Sequence, residues 1–283
     1  MNIRVNEPVS VPSELRVLER RLHLEKTKAD HMDLFGEEPP AELLTPYRLG
    51  AESLSRSALL QKKYTDRARN ISRCWNRTQL FLPELLLPGA PQRVLEMSTA
   101  HGAMLEILRH YGHDVTGNDY ANMMKSRGGR DSSYFRKVND EGFARFRDDY
   151  GNRLDPEADD APDWPYRHIT NAINLPMEIF DAGVTPYPLV DKSFDVLICF
   201  QAIEHYCRPS GWAAVLDEFC RITRKTIVVV PNPLTEGLQA DPDYSAEYRQ
   251  VMLDLRRFDR NGFRCTSVHM HWSQPSGFKL TAV

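Results

Sequence analysis

Beyond Pro88-Gly89 the chain alternates short apolar runs with stretches of helical period, and this alternation limits the fold more than any other feature. Arg93-Val94-Leu95-Glu96-Met97 reads as a first strand. A helix follows from about Gly102, with Met104, Ile107, Leu108 and Tyr111 on one face and Gly112 placed to stop it. Val115 to Asp119 reads as a second strand, and Phe194 to Phe200 is apolar along nearly its whole length, as a strand covered on both faces must be. Trp212, Val215, Leu216, Phe219 and Ile222 give the next helix an inward stripe, and Thr226 to Val230 is a strand stopped by Pro231-Asn232-Pro233. Strands recurring with helices between them form a mostly parallel sheet flanked by helices, an α/β fold.

Residues 12 to 87 carry helical spacings, first through Leu15, Leu18, Leu22 and Leu24, then through Leu54, Leu59, Leu60 and Tyr64, with Pro39-Pro40 between them. An N-terminal helical extension over 1–90, a lid, and a main domain over 91–283 are therefore expected. Within the main domain, about 126–165 reads as an acidic insertion with no clear period. Tyr248, Val251, Met252, Leu255 and Phe258 mark a late helix. Asn261-Gly262 is a turn, and Phe263 to Trp272 and Phe278 to Val283 are closing strands; with one more strand, whose end carries Asp181, the expected sheet has seven strands.

Composition narrows the partners. A formal net charge of −3 gives no overall attraction to nucleic acid or anionic membrane, although Lys62, Lys63, Arg67, Arg69 and Arg73 against Asp66 make residues 56 to 77 locally basic. The five cysteines are odd in number and lack the paired short spacing of zinc sites or disulfide frameworks, which suits a reducing compartment. No stretch reads as a signal peptide or membrane span, so a cytoplasmic protein with no membrane partner is expected.

In an open parallel sheet the ligand lies beyond the carboxyl ends of the strands, where strand order reverses. Those ends carry, in chain order, Glu96-Met97-Ser98-Thr99-Ala100-His101-Gly102, then Asp119-Tyr120, then Asp181-Ala182, then Gln201-Ala202-Ile203-Glu204-His205. Together with Asp191-Lys192-Ser193-Phe194-Asp195 and Pro231-Asn232-Pro233, this ordered set resembles the class I S-adenosylmethionine-dependent methyltransferases over roughly residues 91 to 235. The resemblance implies a Rossmann-like domain with S-adenosyl-L-methionine as cofactor. It implies that Asp119 accepts from the ribose hydroxyls, and that Asp181 and Ala182 meet the adenine. Glu96, Ser98, Ala100 and Gly102 would pass under the methionine part, with Gln201 beside it; Tyr120 and His101 are candidates to line the pocket, with ordinary packing as their alternative.

One departure stands out. The family's loop usually has glycine where this chain has Ser98 and Ala100, keeping only Gly102, and glycine serves where φ is positive or a ligand comes close. The same loop lacks the Gly-x-Gly-x-x-Gly turn that a pyrophosphate needs, which argues against nicotinamide or flavin dinucleotides. His205 is the candidate base, since an imidazole ordinarily titrates near pH 6.5; its structural alternative is to orient the helix that follows. Gln201 to His205 is also similar to the metal-binding Glu-x-x-Glu-His of small-RNA 2′-O-methyltransferases. Gln201 brings no charge there, and His269 with His271 lacks a third ligand, so no metal is expected.

Three readings compete. One is an enzyme methylating an oxygen or nitrogen of a small molecule or glycan. Another is a nucleic-acid methyltransferase, resting on the basic stretch. The third is an inactive methyltransferase-like binding protein, resting on Ser98 and Ala100.

Overall fold

The computed structural model describes residues 2–3, 22–23, 38–48, 66–119, 167–234, 236–271 and 274–283. The expected helix through Leu54 to Tyr64, the acidic insertion and Tyr120 lie outside these residues. The main sheet has eight strands: β1 (Arg93–Met97), β2 (Asp114–Asp119), β3 (Met177–Ile179), β4 (Phe194–Phe200), β5 (Thr223–Val230), β6 (Asp259–Arg260), β7 (Phe263–His271) and β8 (Gln274–Ala282). Their order is β3-β2-β1-β4-β5-β8-β7-β6. Pairing is parallel from β3 through β5, and β8, β7 and β6 close the sheet in antiparallel fashion. The α/β class holds. The eighth strand is β6, a two-residue edge paired across the Asn261-Gly262 turn, too short to leave a period-two signal.

Successive residues of the central strands feed two separate cores. Val94, Val115, Ile198 and Val228 face helices α1 (Arg67–Phe81) and α2 (Ala103–His110). Leu95, Leu197, Cys199, Ile227 and Val229 face α4 (Trp212–Ile222) and α6 (Pro242–Arg256), which come after the six-residue α3 (Arg167–Ala172) and four-residue α5 (Glu236–Gln239). This two-sided burial is why β4 reads as an unbroken apolar run. Two of the helices start on a side-chain cap: Asp66 accepts from Arg69 N at 3.1 Å, and Asp241 accepts from Tyr244 N at 3.0 Å.

The N-terminal region differs in detail from its leucine spacing. Leu22, expected in a helix, lies in a two-residue strand, Leu22–His23, antiparallel to Asn2–Ile3. Leu22 and Leu24 are two apart, a spacing that shares one face of a strand but not of a helix. Further on, α1 is part of the sheet's covering layer. Ile71, Cys74 and Trp75 are buried in the same core as Val94 and Met104. At its far end Phe81 meets Phe200 and His269 edge-on, at 5.3 and 4.5 Å between centroids. A Cβ on Gly277 of β8 would come 2.5 Å from Phe81, so only glycine lets the helix seat this closely. Lys279 Nζ donates to the Phe81 carbonyl at 3.0 Å and caps the helix. No described helix is long and apolar enough to cross a membrane.

Candidate active site

Strand order reverses between β1 and β4, since β1 has β2 on one side and β4 on the other, and the crevice opens beyond their carboxyl ends. The loop leaving β1 has a particular backbone. Ser98, Ala100 and Gly102 all have positive φ, at 54, 51 and 75°. The chain thus keeps the left-handed turn at all three alternate positions, two of them without glycine, at about 1 kcal/mol of strain or more each. A side chain at Gly102 would be strained by its φ, and its Cβ, 2.6 Å from Leu175 Cδ2, would have to displace that leucine.

Side chains hold the strained loop in place. Asp119, at the end of β2, accepts from Ala100 N at 3.0 Å. The Ser98 hydroxyl lies 2.9 Å from the Tyr206 hydroxyl, which is itself buried behind β4. Thr99 Oγ1 donates back to the Glu96 carbonyl at 2.9 Å. These contacts separate the two replaced glycines. Ala100→Gly removes strain and no hydrogen bond, so it is expected to raise stability by about 0.5–1 kcal/mol. Ser98→Gly relieves similar strain but strips a buried hydroxyl of its partner, and is expected to be neutral or destabilising. Thermal denaturation of the two variants checks the contrast; a less stable Ala100→Gly would show that the loop is not strained as described.

The carboxylates at the strand ends occupy distinct surroundings. Glu96 is 8% exposed, and its Oε2 makes no hydrogen bond. Burial and the neighbouring Asp119 push its carboxyl up to about 8, with the Arg77 guanidinium opposing. Asp181 accepts from Gly183 N through Oδ1 at 2.8 Å, while its buried Oδ2 accepts nothing. Ala182 is buried beside it, and its carbonyl accepts from Tyr187 at 2.8 Å. Asn118 Nδ2 donates to the carbonyls of Glu178 and Phe180, which ties the end of β2 to the segment leading into Asp181. Glu96, Asp119 and Asp181 thus stand on the adjacent ends of β1, β2 and β3.

Beyond β4, Gln201 has a positive φ of 52°, and its side-chain oxygen accepts from Arg77 of α1. Its backbone carbonyl accepts from Asn232, which follows β5. Asn232 donates to Glu204 Oε1 through both its backbone and its side-chain amide, and its carbonyl accepts from Tyr248 at 2.8 Å. Burial raises the Glu204 carboxyl to about 7 against the pull of these donors. His205 is part-exposed, with Nε2 3.9 Å from Glu204 Oε1.

His101 and His269 are taken up by structure. His101 Nδ1 accepts from Ala103 N at 3.2 Å at the head of α2, and His269 is fully buried between Phe81 and Ser267. The His271 side chain lies outside the described residues. Among the described residues no three His, Cys, Asp or Glu side chains gather closely enough to hold a metal ion. Sequence reasoning had no role for Tyr206, Asn232 or the inward face of α1. The one available signal was the spacing of Arg73 and Arg77, four apart and so on one side of a helix.

Residues 66–275 match the family model described as "Methyltransferase domain". No curated protein matches the chain. Among solved structures it is similar to magnesium protoporphyrin IX methyltransferase from Synechocystis with bound S-adenosylhomocysteine: 12% identity, TM-score 0.41, 86% of this chain and 92% of that one. It is similar to a SAM-dependent methyltransferase from Aquifex aeolicus, at 16% identity, TM-score 0.36, 75% of this chain and 98% of the other. It is also similar to a SAM-bound amino pentose methyltransferase from Micromonospora echinaspora, at 10% identity, TM-score 0.39, 76% and 90% coverage.

Proposed function

Because the chain belongs to the methyltransferase-domain family matched over residues 66–275, we propose that it transfers the methyl group of S-adenosylmethionine to an oxygen or nitrogen of a small molecule or glycan. The observation carrying this reading is the β1 loop, which keeps positive φ at Ser98, Ala100 and Gly102 and is held to Asp119 at the end of the neighbouring β2. The donor set fits the cofactor. Two buried carboxylate oxygens, Glu96 Oε2 and Asp181 Oδ2, make no hydrogen bond and suit an ammonium and an adenine amino group, while Asp119 suits a ribose diol.

S-adenosylmethionine supplies a methyl group already activated by its sulfonium. The protein's part is then to hold an acceptor in line with the methyl-sulfur bond and exclude water. Ser98, Ala100 and Gly102 bring backbone close to the methionine part without bulk, Gln201 lines its surroundings, and Ala182 offers a small apolar contact to the adenine ring. His205, part-exposed after β4, is the candidate group to take a proton from an acceptor hydroxyl or ammonium.

The nucleic-acid reading weakens on one observation. Among the described residues of the basic stretch Arg69 alone is exposed; Arg67 pairs with Glu106, and Arg73 and Arg77 reach the β1 loop and the end of β4. A surface stripe is what a phosphate backbone requires. None of the five cysteines is joined in a disulfide, which supports a cytoplasmic setting.

Calorimetry with S-adenosylhomocysteine, followed by methyl transfer to pooled metabolites, tests the proposal. Micromolar binding with turnover is expected; binding without turnover on any acceptor class would favour the inactive relative, and no binding would end the reading. The N-terminal residues are proposed as a lid on the acceptor side. The cut belongs before Glu38, because Leu43 is buried in the core and Thr45 accepts from Arg67. Removing residues 1–37 is expected to leave cofactor affinity within about twofold and to lower transfer severalfold. Full turnover by the truncated chain would dismiss the lid.

A further inference from the structure

Among the described residues three carboxylates, all near the carboxyl ends of strands, keep a buried oxygen with no hydrogen bond: Glu96 Oε2 on β1, Asp181 Oδ2 after β3 and Glu204 Oε2 after β4. The cofactor reading employs the first two and leaves Glu204 unused. Glu204 is 8% exposed. Its Oε1 accepts from the backbone amide of Asn232 at 3.3 Å and from the Asn232 side-chain amide. Asn232 is fixed in turn, its carbonyl accepting from the Tyr248 hydroxyl of α6 at 2.8 Å. One oxygen of Glu204 is thus clamped, and the clamp sets where the other points.

The groups that face this carboxyl bring it no cation. His205 Nε2 is 3.9 Å from Oε1 on the same turn. The Cys199 thiol of β4 and the Tyr244 and Tyr248 phenols of α6 are each held above their ordinary range by burial and then by the Glu204 charge. Among the described residues no lysine or arginine pairs with Glu204. Beyond Tyr244 the field stays negative: Arg208, its guanidinium 5.5 Å from the centre of that ring, shares a cleft with Asp241, Asp243 and Glu247 and is already bonded to Glu247 at 3.3 Å. A buried carboxylate oxygen left open opposes folding until a ligand meets it. A cation suits this one, since the nearby charge is negative and the aromatic rings attract an ammonium. A neutral hydroxyl would gain little from the same field.

We propose that Glu204 Oε2 binds the nitrogen of the methyl acceptor, which is an amine entering as its ammonium ion beyond the ends of β4 and β5. The proposal rests on the methyltransferase reading and narrows its substrate class. One ammonium N–H donates to Oε2. A second N–H bond breaks and its proton passes to His205; the lone pair left on nitrogen forms the bond to the methyl carbon as the carbon-sulfur bond breaks, its electrons staying on sulfur. Glu204 holds and aims the nitrogen, and His205 takes the proton.

The test uses the full chain, its Glu204→Gln and Glu204→Asp variants, and labelled S-adenosylmethionine offered with pooled primary and secondary amines or with pooled alcohols and phenols. Glutamine keeps an oxygen for Asn232 and cannot ionise; because burial raises the parent carboxyl to about 7, this variant is expected to fold. Transfer to amines and not to alcohols is expected. For the amine turned over fastest, Glu204→Gln should raise KM by about tenfold or more, with kcat within about threefold and affinity for S-adenosylhomocysteine within about twofold of the parent. Glu204→Asp, which keeps the charge but draws it back, should fall between. Independently, benzylammonium is expected to raise the melting temperature of the parent but not of Glu204→Gln, and benzyl alcohol to raise neither. Transfer confined to alcohols overturns the proposal, as does an unchanged KM for the amine. A matching loss of affinity for S-adenosylhomocysteine also overturns it, since Glu204 would then act on the cofactor pocket. If the parent transfers no methyl group to either pool, the proposed function fails, and the benzylammonium effect alone decides the ammonium site.

Discussion

Asp119→Ala is expected to lower the affinity for S-adenosylhomocysteine by about 10- to 100-fold, the largest loss from any single side chain of the site. Removing a charged acceptor from a sheltered hydroxyl pair costs about 1.5–3 kcal/mol. Here the loss is compounded, because Asp119 also accepts from Ala100 N and holds a loop whose φ values Ser98 and Ala100 adopt only under constraint. Asp119→Asn separates the two roles. It retains an oxygen for Ala100 N but not the charge, and should fall between the parent and the alanine variant. Calorimetry on the three proteins measures this, and an alanine variant binding as tightly as the parent would remove Asp119 from the site.

The second large effect concerns pH. Glu96 has its carboxyl raised from 4.5 to about 8, chiefly by burial, so between these values the folded protein holds a proton that the unfolded chain has released. Stability contributed by this group is therefore complete below about pH 4.5 and is lost as pH rises toward 8. Glu204, raised to about 7, acts with the same sign over a narrower window. Glu96→Gln, which cannot ionise, should melt higher than the ligand-free parent at pH 8, by an amount on the order of a few kcal/mol, with the gap closing near pH 5. A gap equal at both pH values would show that Glu96 ionises freely in the folded protein. If Glu96 faces the ammonium of the cofactor, binding at pH 7 also releases close to one proton, visible as a binding enthalpy that varies with buffer.

Much of the fold was legible because its signals are local. The apolar run Phe194 to Phe200, the stripe from Trp212 to Ile222 and the breaks at Gly112 and Pro231 are written in neighbouring residues, and burial on one or both faces leaves a period that can be read directly. The order of acids at strand ends was legible for a related reason: in a parallel sheet each crossover returns the chain to the same edge, so chain order predicts which ends share a crevice. What could not be read is what distant segments do to one another. Positive φ at Ser98 and Ala100 is imposed by Asp119 and Tyr206, residues remote in sequence, against the local preference of serine and alanine. The basic residues of α1 read as a charged surface; seating Phe81 on Gly277 turns Arg73 and Arg77 inward, and no local pattern records that contact. Sequence by itself thus determined the sheet, its edge and the acids upon it. Tertiary packing decided the loop's conformation, the protonation of Glu96 and the direction of the arginines, because strain, desolvation and helix orientation depend on neighbours brought together only by folding.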